Sequence, residues 1–213
     1  MSSRVFIDIE LISIDPAKRK DADERKRLLN SVNAVILCLP DDAARQAVAL
    51  IENDAVKVID ASTAHRVAPN WAYGFPEMTK EQRAKIAAAK RVSNPGCYPT
   101  GFIALARPLV EAGLIPRDWP LSVNAVSGYS GGGKGMIAEF EDDTSPAFTR
   151  APYRIYAMAQ QHKHAPEMQA YAGLARAPIF APSVGRYRQG MIVEIPLPLA
   201  ALPAQPKLSN ARE

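Results

Sequence analysis

The amino-acid sequence predicts an α/β protein: a doubly wound parallel sheet in the first half, followed by an α+β half. Three observations carry this. Apolar, β-branched runs alternate with charged, helix-periodic segments up to Asp60. Within residues 33–39, Ala-Val-Ile-Leu-Cys-Leu at 34–39 forms an unbroken apolar run, ended by Pro40, that suits a strand covered on both faces of a parallel sheet. Beyond Pro95 the alternation gives way to one long apolar helix and isolated strands, dividing the chain into residues 1–95 and 96–213.

In order, residues 5–14 read as a first strand and residues 18–30, rich in both charge signs, as a helix with a solvated face. The strand at 33–39 follows. Residues 41–51 form a helix with Asp41 or Asp42 as cap and Ala43, Ala47, Leu50 and Ile51 on one stripe. Residues 56–60 are a further strand. Further on, 78–89 reads as a helix, 91–93 as a short strand, 100–113 as an apolar helix, and 121–127 and 187–197 as strands. Pro146, Pro152, Pro178 and Pro182 predict long ordered loops.

Composition narrows the function classes. The 213 residues carry 26 Lys+Arg against 22 Asp+Glu, a net charge of +4, with no interleaving of basic and aromatic residues, which argues against nucleic acid as partner. The longest uncharged runs, 92–106 and 119–133, fall short of the ~20 apolar residues a membrane span needs. Two cysteines make no disulfide framework, and no apolar leader opens the chain, so a reducing cytoplasm is expected. All 12 glycines stand at or after Gly74, so the first 73 residues hold no glycine-rich phosphate loop.

Four motifs are candidates for chemistry or binding. Cys97, in Ser93-Asn-Pro-Gly-Cys-Tyr-Pro-Thr100, precedes the apolar helix. Free backbone N–H groups and the helix dipole there favour thiolate over thiol, marking Cys97 as a nucleophile; Cys38, inside an apolar strand, reads as structural. His162-Lys-His164-Ala-Pro-Glu167 offers a proton-transfer partner, with Glu167 fixing the tautomer of one histidine; the sequence does not choose between them. His-x-His plus Cys97 also counts three zinc-type ligands, but no fourth stands at ligand spacing, so no metal is expected. Gly128-Tyr-Ser-Gly-Gly-Gly-Lys-Gly135 begins like a phosphate loop but has Gly135 where Ser or Thr should hold Mg²⁺. What remains is a loop of free N–H groups with Lys134, equally readable as an anion grip or a mobile surface loop. Asp60-Ala-Ser-Thr-Ala-His-Arg66, at the carboxyl end of a strand, is placed on the ligand side of an open sheet, and also fits a solvated loop.

Taken together, Asn94-Pro-Gly-Cys-Tyr-Pro-Thr100, Ser127-Gly-Tyr-Ser-Gly-Gly-Gly-Lys134 and His162-Lys-His-Ala-Pro-Glu167 resemble the short bacterial form of the N-acetyl-gamma-glutamyl-phosphate reductases, within the wider semialdehyde-dehydrogenase group. Leu37-Cys-Leu-Pro-Asp-Asp42, Tyr73-Gly-Phe-Pro-Glu77 and Pro182-Ser-Val-Gly185 extend the likeness over nearly the whole chain. The resemblance implies a Rossmann-type half joined to a catalytic and dimerisation half, and a homo-oligomer, dimer or tetramer. It implies reduction of an acyl phosphate to an aldehyde with NADPH, in arginine biosynthesis. Cys97 would form a thioester, with His162 or His164 as acid and base. Arg66, Ser127 and Lys134 would hold the substrate; Leu39, Pro40, Ser62, Gly131 and Gly132 would border the cofactor.

The chain departs from the family at its start. Members carry a glycine-rich turn and a helix between the first two strands, whereas here residues 5–8 run straight into 9–14. Neighbouring parallel strands need a crossover of a dozen or more residues. The expectation is therefore a break between Asp8 and Ile9, with Cα atoms well beyond ~3.8 Å, or else a real deletion that impairs cofactor binding. The family's closing segment also lies beyond Glu213.

Overall fold

The structure is a computed structural model and describes residues 9–207. It contains two four-stranded sheets. The first is built from β1 (Ala34–Leu37), β2 (Lys57–Asp60), β3 (Ala72–Tyr73) and β4 (Arg91–Ser93), in the order β1-β2-β4-β3, with every pair parallel. The expected parallel α/β architecture is present.

Helix α1 (Ala22–Ser31) starts later than the charge pattern predicts because Asp21 caps it, accepting from the N–H groups of Asp23 and Glu24; residues 16–20 form a turn instead. Helix α2 (Asp41–Ala49) is not capped by Asp41. That side chain turns to Thr63, accepting its N–H at 2.9 Å and its hydroxyl. Both helices cover one face of the sheet, packing Leu29, Val32, Ala44, Ala47, Val48 and Ile51 on Val35, Leu37 and Val58.

The other face contradicts the expectation of strands covered on both sides. Ile36 is 70% and Ile59 40% exposed. The expected first strand is also absent over its described part: residues 9–14 form no element, and Ile9, Leu11 and Ile12 are exposed. Without a pairing partner an apolar run has no reason to extend as a strand. Its beginning, residues 5–8, and the predicted break at Asp8 lie outside the described residues.

After α3 (Gln82–Ala88) and β4 comes α4 (Cys97–Glu111), which begins at Cys97 itself with Pro99 in its first turn, where a missing N–H costs nothing. The second sheet orders β6 (Tyr153–Ile155), β7 (Ile179–Gly185), β5 (Ser122–Gly128) and β8 (Met191–Glu194) side by side, with β5 and β7 parallel and the outer pairs antiparallel. Helices α4 and α6 (Ala165–Ala172) close the main core on this sheet, around Phe102, Ile103, Val123, Met168 and Phe180.

Two expectations fail in this half. Pro178 and Pro182 were to mark loops, yet Pro182 lies inside β7. Its carbonyl accepts from Tyr156 N–H on the β6 side, so its missing N–H faces an edge where β6 has already ended. The glycine-rich segment is not a loop but a 3₁₀ turn, Tyr129–Gly132, leading into α5 (Gly133–Glu141). The N–H groups of Gly128, Tyr129 and Ser130 are taken by the carbonyls of Gly190, Tyr187 and Arg188.

Candidate active site

The carboxyl ends of β1, β2, β3 and β4 lie on one edge of the first sheet, and the chain crosses to the second sheet there, at Gly96. Cys97 occupies the first position of the 15-residue helix α4 and is exposed. The first N–H groups of a helix have no intrahelical partner, and Pro99 contributes none, which leaves those of Cys97 and Tyr98 at the helix start.

Beneath this junction lies a buried ion pair. Glu167, from the first turn of α6, is 1% exposed. Its Oε1 accepts from Arg66 Nη1 at 2.8 Å; its Oε2 accepts from the Tyr73 hydroxyl at 2.9 Å and the Gly96 N–H at 3.0 Å. The pair is tightly enclosed: a Cβ on Gly96 would stand 2.5 Å from Glu167 Oε1, 2.8 Å from Arg66 Nη1 and 2.9 Å from His164 Cδ2. Arg66 spends further N–H groups on the carbonyls of Asn94 and Ala61. Tyr171 stacks on Tyr73 at 3.8 Å and donates to Arg66 O.

The two motif histidines meet edge to face, ring centroids 4.6 Å apart. His164 N–H donates to His162 Nδ1 at 3.1 Å, so that nitrogen offers its lone pair and the neutral ring carries its proton on Nε2. Burial, with Lys163 adding, holds the His162 pKa below its ordinary value. Burial drives His164 further, to about 3, helped by His162, Arg66 and Lys163. Its Nδ1 is buried without a hydrogen-bond partner. Glu167 Oε1 lies 4.0 Å from His164 Nε2, beyond hydrogen-bond reach, so Glu167 does not fix a histidine tautomer by a direct bond.

A hydroxyl cluster completes the wall. Tyr98 OH lies 2.8 Å from Ser127 Oγ, 3.0 Å from Tyr156 OH and 3.2 Å from Ser183 O. Burial first, then the contact with Tyr98, raises the Tyr156 pKa, with Cys97 adding least.

The structure therefore brings Cys97, His162, His164, Glu167, Arg66 and Ser127 together. Gly131 adjoins this group, since a Cβ there would meet Ser127 Oγ at 3.8 Å. Gly132 and Lys134 lie exposed where the 3₁₀ turn meets α5. Leu39 and Pro40 form an exposed ledge between β1 and α2. Ser62 is turned inward, its Oγ donating to Asp60, which also holds His65 at 2.6 Å. Sequence reasoning missed Tyr73, Tyr98 and Tyr156. Tyr73 and Tyr98 stand inside quoted motifs, whereas Tyr156 carries no signal, because a hydroxyl wall has no characteristic spacing.

Residues 97–212 match the family model for the semialdehyde dehydrogenase dimerisation domain, and residues 12–86 that for the semialdehyde dehydrogenase NAD binding domain. The chain is 59% identical over 191 residues to an N-acetyl-gamma-glutamyl-phosphate reductase of Sinorhizobium medicae, covering 89% of this chain and 62% of that protein. It is 57% identical over 198 residues to the one of Rhizobium meliloti, covering 92% and 64%. The chain thus spans less than two thirds of the length of these curated relatives. Among solved structures, aspartate semialdehyde dehydrogenase II from Vibrio cholerae superposes with a TM-score of 0.56 at 16% identity, over 77% of this chain and 55% of that one. The enzyme from Candida albicans, solved with NADP, gives 0.51 at 16%, over 84% and 54%. Through both matched segments, the chain belongs to the semialdehyde dehydrogenase family.

Proposed function

We propose that this chain carries the catalytic centre of an N-acetyl-gamma-glutamyl-phosphate reductase, acting on an acyl phosphate in arginine biosynthesis. The observation that carries the reading is the placement of exposed Cys97 at the first position of α4, directly after Gly96, which is closed in by His164 and the Glu167–Arg66 pair. The Cys97 sulfur forms a bond to the carbonyl carbon of the acyl phosphate, the carbon–oxygen bond to phosphate breaks, and phosphate leaves with that electron pair. The exposed thiol gives its proton to solvent on attack; His164, which abuts Gly96 and is held neutral by burial, lines the site without taking it. His162, held with its proton on Nε2, donates a hydrogen bond rather than shuttling a proton. The α4 N–H groups stabilise the developing oxyanion. Arg66, with three nitrogens already bonded, orients Glu167, which leaves Lys134 and Ser127 as the substrate-facing candidates.

The described residues fit one end of a nicotinamide dinucleotide. Leu39, Pro40, Gly131 and Gly132 offer exposed backbone and apolar surface for the nicotinamide end. The helix N-termini beside β1 carry acids instead of a glycine-rich cradle: Asp21, Asp23 and Glu24 at α1, Asp41 and Asp42 at α2. No pyrophosphate cradle stands among the described residues of the first sheet. When bound, NADPH supplies the hydride that brings the acyl group to the aldehyde level.

Two copies would pair through the open face of the second sheet, where Ile179 and Ile192 stand exposed. No helix among the described residues is long and apolar enough to cross a membrane; the reading places the step in the cytoplasm.

The test is phosphate-dependent reduction of NADP⁺ with N-acetylglutamate semialdehyde. Turnover that Cys97→Ser lowers by roughly a thousandfold or more, with an unchanged melting temperature, supports the reading. Cys97-dependent phosphate release from an acyl phosphate with no NADPH-linked turnover replaces it by a cysteine acyl transferase, a reading favoured by the acidic helix ends beside β1.

A further inference from the structure

Between β6 and α6 the chain makes a turn that no charge or spacing in the sequence announces. Pairing of β6 with β7 ends at Ile155 opposite Ser183, and Tyr156 adds one rung by donating its N–H to Pro182 O at 3.1 Å. The chain then leaves the sheet. Ala157 has φ +53° and Gln160 φ +57°, left-handed conformations that residues with a Cβ avoid, and Gln160 N–H closes the turn on Ala157 O at 3.2 Å.

The departure strands Phe180, two residues before Pro182 on β7, with a backbone N–H and C=O on the vacated edge. The Gln160 side chain takes both: Nε2 donates to Phe180 O at 2.9 Å, and Oε1 accepts from Phe180 N–H at 2.8 Å. A side-chain amide stands where the next peptide of β6 would have been. The Phe180 ring, fully buried, is in turn the platform on which His162 rests edge-on at 5.0 Å and Tyr98 at 5.2 Å.

We propose that Gln160 is a positioning residue for His162: by tying the left-handed turn to the Phe180 backbone, it sets the places of the His162 ring and the Tyr156 hydroxyl beside Tyr98. Gln160 touches no reacting atom. It acts through the two residues its turn carries, in an environment for His162 made of Tyr98, Tyr156, His164 and Lys163. Strained backbone persists only where its surroundings over-determine it, and the paired amide is what does so here.

The kinetic consequence rests on the acyl-phosphate reading; the structural one does not. The chain has three histidines, so nitrogen NMR of the full chain resolves each ring. The wild type is expected to show His162 with its proton on Nε2 and a titration below the ordinary ~6.5. In Gln160→Ala the His162 titration moves up toward that value and its tautomers mix, while His65, bonded to Asp60, is unchanged. Adding Ala157→Gly, which removes the Cβ penalty at the other left-handed position, restores part of the wild-type signal. If Gln160→Ala does not fold, Gln160→Glu, which keeps the acceptor and loses the donor, gives the same direction of change. In turnover, kcat falls about ten- to a hundredfold with KM nearly constant. An unchanged His162 tautomer and titration in the folded variant overturns the proposal, whatever happens to the melting temperature. A wild type without reductase turnover sinks the functional reading instead, and the NMR result still decides the role of Gln160.

Discussion

Glu167 accepts the Gly96 N–H at 3.0 Å, and through that bond a helix of the second sheet holds the residue that precedes Cys97. The sequence pattern predicts Glu167 as a partner of histidine. The geometry instead makes it a fastener between the two sheets, with Arg66 and Tyr73 of the first half completing its coordination. The consequence is that the backbone carrying the thiol is held by residues buried beneath it.

Gly96→Ala should be disproportionately harmful. Its φ of −67° suits any residue, so the cost is purely steric, from a methyl group forced onto Glu167, Arg66 and His164. Overpacking of this kind costs about 1–3 kcal/mol. Urea denaturation should show that loss, and alkylation of Cys97 should change in rate; a variant with wild-type values for both would refute the fastener.

Tyr73→Phe removes one hydrogen bond to a carboxylate while leaving the ring stacked on Tyr171. The expected loss is about 1.5–3 kcal/mol, visible as a lower urea midpoint with an unchanged slope. Tyr73→Ala should cost more, because the stack goes as well.

Acid should destabilise the chain through His164. Its pKa is about 3 in the folded protein against the ordinary histidine value of 6.5, so the unfolded chain binds a proton the folded one refuses. The folded state is therefore fully favoured above about pH 6.5 and loses roughly 1.4 kcal/mol per unit as the pH falls toward 3. Melting curves of wild type and His164→Gln should diverge in slope below pH 6.5. Parallel curves would mean that His164 is not held neutral.

The parts of this molecule that sequence reveals are those with periodicity or a motif. The apolar run at β1, the mixed-charge helix α1 and the long helix behind Cys97 all declare themselves. Strand β7 does not, because Pro182 sits in it, and a proline is tolerated there only through an edge the sequence cannot show. The free loop expected at Gly128–Gly135 is lost to the carbonyls of Tyr187, Arg188 and Gly190, more than 50 residues downstream. In the site, Cys97 and the histidines are legible because their chemistry is scarce. Tyr73, Tyr156 and Gln160 are not, because ordinary hydroxyls and amides become informative only once the fold has chosen their neighbours.

The Glu167 fastener also bears on how the chain reaches its native state. Its bond to Arg66 spans 101 residues of sequence, that to Tyr73 spans 94, and the Tyr171 bond to Arg66 spans 105. Contacts so distant along the chain carry a large loop-closure entropy and form after the local helices and strand pairs. Refolding should thus recover helical circular dichroism before the Cys97 thiol regains its native reactivity. The surroundings of the Cys97 thiol are thus expected to be completed late, after the local elements on either side of them.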